Sequence, residues 1–89
     1  MTSQTAVPIS NTSWREVANG SEFVTVSTQA VTGFFVLLAD SEPPIEQDVA
    51  AAFYGKAGSP VSYSNLLTTD KVWVRAAVAS MTVAVAKSS

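Results

Sequence analysis

A chain of 89 residues is the size of one domain, and with no cysteine and no histidine it has no disulfide, thiolate or imidazole chemistry. Ser-His-Asp, Cys-His and His-rich metal sites are therefore excluded within it. Charged residues make up 13% of the chain, about half the usual share. The net charge of −2 is opposite to the basic footprint of a nucleic-acid binder, and the five cations, Arg15, Lys56, Lys71, Arg75 and Lys87, stand singly. No nucleic-acid partner is expected.

Residues 1–13 are rich in Thr, Ser, Gln and Asn and show neither a helical period nor sustained alternation. They are expected to form an extended polar arm, either frayed or ordered against a neighbouring subunit, with the single β domain over 14–89. A charged start followed by an apolar block is absent, so no secretory signal is expected. The sequon Asn11-Thr12-Ser13 is then expected to stay unused.

Residues 14–17 predict a short strand closed by a turn at Asn19-Gly20, whose residues tolerate positive φ. Residues 22–29, "EFVTVSTQ", alternate Val24, Val26 and Thr28 against Phe23, Thr25 and Ser27, which predicts a strand. After Gly33 comes an unbroken apolar run from Phe34 to Ala39. It is far shorter than the roughly 20 residues needed to cross a bilayer, so no membrane partner is expected. It is also too continuous for a strand with one wet face, because Phe34, Val36 and Leu38 point one way and Phe35, Leu37 and Ala39 the other. Two sheets shield only their inner faces, so the second triplet calls for cover: another copy, a larger partner, or a loop packed over it.

Pro43 and Pro44 mark a loop. The segment "PPIEQDVAAAFYG" fits either a short helix over 44–54 or an acidic loop followed by a strand over about 51–56. The β context around it favours the strand. Gly55 and Gly58 mark a turn. Residues 60–67, "PVSYSNLL", then 71–78, "KVWVRAAV", and 81–86, "MTVAVA", each read as a strand, and 87–89 as a tail. Together these make an all-β chain, a small antiparallel β-sandwich or barrel of six or seven strands.

Catalytic raw material is limited to carboxylates. Asp40, Glu42, Glu46 and Asp48 cluster beside the prolines, where solvated acids confer solubility. They lack the frame of a calcium loop. The glycines never form a phosphate-cradling motif. No enzyme activity, cofactor, metal or small-molecule substrate is expected. Trp14, Phe53, Tyr54, Tyr63 and Trp73 fit core packing or a sugar-stacking platform. Trp73 stands apart, sharing a strand face with Lys71 and Arg75 while the valines take the other. An aromatic between cations on an outward face is the composition of an interface anchor. Phe35, Leu37, Trp73 and Arg75 are accordingly the candidate interface with another subunit or a larger partner.

The segments "WREVANGSEFVTVSTQAVTGFFVLLADSEPP" and "DKVWVRAAVASMTVAVA" resemble small β-rich structural proteins of tailed bacteriophages. The likeness rests on Val36, Ala39, Asp40, Pro43, Asp70, Lys71, Trp73, Arg75, Ala76 and positions 82–85, over about three quarters of the chain. The segment 45–54 departs from the pattern, being richer in alanine. The resemblance implies a head decoration (cement) protein that is made in the host cytoplasm, sits on the capsid exterior of the virion as a homotrimer, and binds the major capsid protein. A carbohydrate- or receptor-binding adhesin or fibre-base module of the virion is the alternative it leaves open.

Overall fold

Alternation of β-branched residues along the chain becomes eight strands in a computed structural model that describes residues 2–20, 23–39, 52–67 and 69–88. They are β1 (Thr2–Ile9), β2 (Arg15–Asn19), β3 (Val24–Ser27), β4 (Phe34–Leu38), β5 (Phe53–Gly55), β6 (Val61–Tyr63), β7 (Lys71–Ala76) and β8 (Met81–Ser88). One sheet runs β1-β8-β3-β6 and the other β2-β7-β4-β5. Every pairing is antiparallel. The chain changes sheet at nearly every connection, which gives the strand order of a jelly roll, two four-stranded sheets face to face. Among the described residues there is no helix. Residues 40–51, which hold the acidic cluster and most of the helix-or-strand segment, lie outside the described residues. The end of that segment, Phe53–Gly55, is strand β5.

The core lies between the sheets. Val24, Val26, Phe34, Val36, Val72, Val74, Val83 and Val85 are fully buried, each the inward member of its period-2 pattern. β2 breaks that pattern. Its register shifts between Glu16 and Ala18, and this bulge lets consecutive Val17 and Ala18 both turn inward.

The strand count exceeds the expected six or seven because the polar segment at the start is itself sheet. β1 pairs with β8 along its whole length, and from Gln4 to Ile9 only Ile9 is sealed, with Val7 partly buried. An edge strand needs little apolar surface, so its letters carry almost no alternation. The tail is also strand: Lys87 belongs to β8 and its Nζ donates to the Val17 carbonyl at 3.0 Å, linking the two sheets at one end. β7 stops at Ala76, so Val78, which the alternation places inward, sits 65% exposed in the following turn.

Loops at the two ends brace one another. At one end Asn11 Nδ2 donates to the Val78 carbonyl at 2.7 Å, and the Ala76 and Ala77 amides donate to the Ser10 and Gly33 carbonyls. At the other, the Gly20 amide donates to the Asp70 carbonyl at 3.0 Å. Gly20 has φ 74°, as the expected Asn-Gly turn requires. The Gly55–Gly58 turn is a reversal at Lys56 and Ser59, which exchange both backbone hydrogen bonds. It hands the chain from one sheet to the other and does not form a hairpin.

Candidate interaction surface

The four candidate residues meet on the outer face of the β2-β7-β4-β5 sheet. Phe35 lies directly opposite Arg75, and Leu37 directly opposite Trp73. Residues opposite one another in a ladder point to the same side, with Cβ atoms about 4.5–5.5 Å apart. The two cross-strand pairs therefore form one contiguous patch, back to back with the buried Phe34 and Val36.

A row of stacked side chains crosses this face from one edge of the sheet to the other. The Arg75 guanidinium carbon is 5.3 Å from the centre of the Trp14 ring and 5.4 Å from that of Phe35. Beyond Phe35 stands Tyr54, ring centres 5.5 Å apart and planes tilted by 59°. A cation between two π faces is held electrostatically on both sides, and tilted rings at this spacing are a favourable aromatic geometry. Arg75 Nε is buried without a hydrogen-bond partner. Trp73 anchors the neighbouring row, its Nε1 donating to the Ala39 carbonyl at 3.1 Å.

This arrangement supplies much of the cover that the apolar run calls for. Phe35, Leu37 and Ala39 are each half-buried under side chains from adjacent strands of the same copy. Trp14 and Trp73 are 4% and 9% exposed although neither belongs to the core between the sheets. Trp73 thus occupies the outward face that its spacing predicts, laid down and sealed, and it does not project as a free anchor. The exposed rings lie further along: Tyr54, at 54%, on the outer face, and Phe53, at 58%, at the sheet margin. Phe53 reaches across the mouth of the sandwich to Tyr63, ring centres 5.7 Å apart. Burial pushes the Tyr63 hydroxyl above its ordinary pKa.

Trp14 and Tyr54 belong to this surface, and the sequence places them only within a general aromatic set. The missing signal is register: Trp14 immediately precedes β2, and Tyr54 opposes Phe35, a pairing no local pattern reveals. The five aromatics do not form a single platform, because the two tryptophans are sealed and Phe53 and Tyr63 close the edge.

Among the described residues no three His, Cys, Asp or Glu side chains gather to hold a metal ion. Among the same residues no helix is long and apolar enough to cross a membrane. The surface depressions are shallow and open. One is lined by a mixture of polar and apolar side chains, Ser10, Ser13, Arg15, Ile9 and Met81 among them, and its Arg15 guanidinium already donates to the Pro8 carbonyl at 3.4 Å. The chemistry available on the outer face is recognition, through rings, a held cation and aliphatic surface. Set against known proteins, the chain matches no family model, no curated protein and no solved structure.

Proposed function

We propose that this protein is a non-enzymatic structural component of a bacteriophage virion, a decoration protein that trimerises and clamps the capsid shell from outside. The observation carrying this reading is the row Trp14–Arg75–Phe35–Tyr54, which presents an apolar, cation-bearing sheet face ending in the exposed rings of Tyr54 and Phe53. Aromatic and arginine side chains are the residues enriched in interface centres. The low charge of the chain and its resemblance to phage structural proteins support the same reading. So does the jelly-roll arrangement, which viral capsid domains use widely, although a fold alone assigns no function. In this reading the ring-bearing face closes the trimer while another surface lies on capsid subunits and resists their separation.

The test is co-sedimentation of the purified chain with empty capsids, alongside its own sedimentation. A trimer that pellets with capsids, and virions that rupture at lower temperature when the protein is deleted, is the expected outcome. A chain that ignores capsids, or virions that leak DNA at the same temperature without it, overturns the proposal.

A carbohydrate- or receptor-binding module is favoured by one observation: Phe53 and Tyr54 stand exposed beside Pro60 and Ser62, and jelly rolls also serve as lectin domains. Tyrosine fluorescence that responds to sugars, abolished in Tyr54→Ser, is what this reading expects.

A further inference from the structure

We propose that β1 is a self-pairing edge, through which two copies of the chain join their first sheets, β1 against β1 and antiparallel, about a two-fold axis at Gln4. In an antiparallel ladder, residues alternate between those that turn both N–H and C=O toward a given neighbour and those that turn both away. On β8 the Thr82 carbonyl accepts the Thr28 hydroxyl, and the Ser88 amide donates to the Phe23 carbonyl. Even-numbered residues of β8 therefore face β3, and odd-numbered ones face β1. Their partners in β1 are Ser3, Thr5, Val7 and Ile9. The backbone groups of Thr2, Gln4 and Ala6 consequently point off the edge of the sheet. Pro8, next in that series, has no N–H, and its carbonyl is occupied by Arg15.

Exposed edges are normally blunted by short length, bulges, charge or proline. β2 has the bulge and carries Arg15 and Glu16. β5 and β6 are three residues each, flanked by the Lys56 turn and Pro60. β1 is eight residues long, uncharged and without a bulge, and its proline lies near its end. Gln4, Thr5 and Ala6 are exposed.

The outward-facing groups are symmetric about Gln4, which points to a second copy as the occupant. Pairing Gln4 with Gln4, and Thr2 with Ala6 in both directions, uses every outward-facing N–H and C=O of the three residues, each pair exchanging two hydrogen bonds. Sliding the register by two one way brings in Pro8 and loses donors, and sliding it the other way leaves Ala6 without a partner on the second strand. An uncharged strand also meets itself without opposing like charges, a condition that β2 fails. On a shell bearing trimers such contacts would link neighbours across two-folds, but the pairing itself does not rest on the capsid reading.

Sedimentation equilibrium of the full chain over a wide concentration range tests it, with wild type, Gln4→Lys, Gln4→Glu, their equimolar mixture and Gln4→Pro. The expected result is an even-numbered species, a dimer or a dimer of trimers, whose dissociation constant rises at least about tenfold in each single variant. Association is recovered in the Lys/Glu mixture, where opposite charges meet at the axis. Gln4→Pro removes only the outward donor, so the β8 ladder is kept; unchanged near-ultraviolet circular dichroism checks that it folds. A wild-type chain that is only a monomer or only a trimer overturns the proposal and leaves the edge to a different chain. Variants that associate like wild type, or a mixture that does not recover, also overturn it. A plain dimer supports it while overturning the trimer proposed above.

Discussion

The two faces of β4 bury nearly the same letters in different ways. Phe34 and Val36 are enclosed by the opposing sheet and are fully buried. Phe35 and Leu37, one residue along, are covered by Arg75, Trp73 and Tyr54 from their own sheet and remain half-exposed. Sheet-on-sheet packing seals a face completely, because side chains from two layers interdigitate. Cover drawn from a single layer lays long side chains flat and leaves their margins wet. The first arrangement makes a core; the second makes a surface still able to receive a partner.

The sharpest way to break this comparison is to truncate both rings. Phe34→Ala should cost about 3–5 kcal/mol, the range for a sealed aromatic, and so remove much of the stability of a domain this small. Phe35→Ala should cost clearly less, about 1–2 kcal/mol, since only part of its surface leaves water. Equal shifts in urea midpoint would mean that the outer face is as much a core as the inner one.

The two crowded glycines offer a second contrast. A Cβ at Gly55 would meet the Phe34 ring, which is locked in the core, whereas one at Gly33 would meet the Tyr54 ring, which has solvent to move into. Gly55→Ala is expected to lose about 1–3 kcal/mol as an overpacked site. Gly33→Ala is expected to lose less than about 1 kcal/mol and to displace Tyr54, visible in its fluorescence.

Arg75 sharpens the account of the outer face. Arg75→Ala should lose about 1–2 kcal/mol of stability through its two ring contacts. Arg75→Met keeps the apolar stem and removes the unpartnered Nε, and should cost less than the alanine variant. A thermal-melting series ordered the other way would show that charge, not cover, is what the position contributes.

The smallest effect is electrostatic. Burial raises the Tyr63 pKa above 10.0, its ordinary value, so the folded chain holds that proton more tightly than the unfolded one. Stability is then unaffected at neutral pH and falls as pH rises through and beyond about 10. Tyr63→Phe should flatten the alkaline limb of a stability-against-pH curve relative to wild type, with no change at pH 7.

Much of the sandwich was legible because half-buried strands announce themselves locally. In β3, β7 and β8 the inward valines fall at every second position, and the sealed residues follow directly; in β4 Phe34 and Val36 follow the same rule, while Leu38 at the strand end is 40% exposed. β1 was less legible: its edge position asks only that it complete a ladder, so polar letters serve, and it reads as an arm. Val17 and Ala18 in β2 depend on a bulge that alternation cannot announce. The outer-face patch was half legible. Trp73 and Arg75 share a face by spacing alone, as do Phe35 and Leu37, but their meeting requires β7 beside β4, strands separated by more than thirty residues.

What the sequence by itself determined is which side of β3, β7 and β8 is apolar and which chemistries are missing, because a side chain's face is set every two residues in a regular strand and an absent residue type cannot be supplied by folding. Only the tertiary structure decided that Arg75 lies between Trp14 and Phe35, that Trp73 covers its own sheet, and that β1 is left at an open edge. Strand neighbours are chosen by contacts between distant segments, whose closure depends on the whole arrangement of loops and layers and on no single stretch of residues.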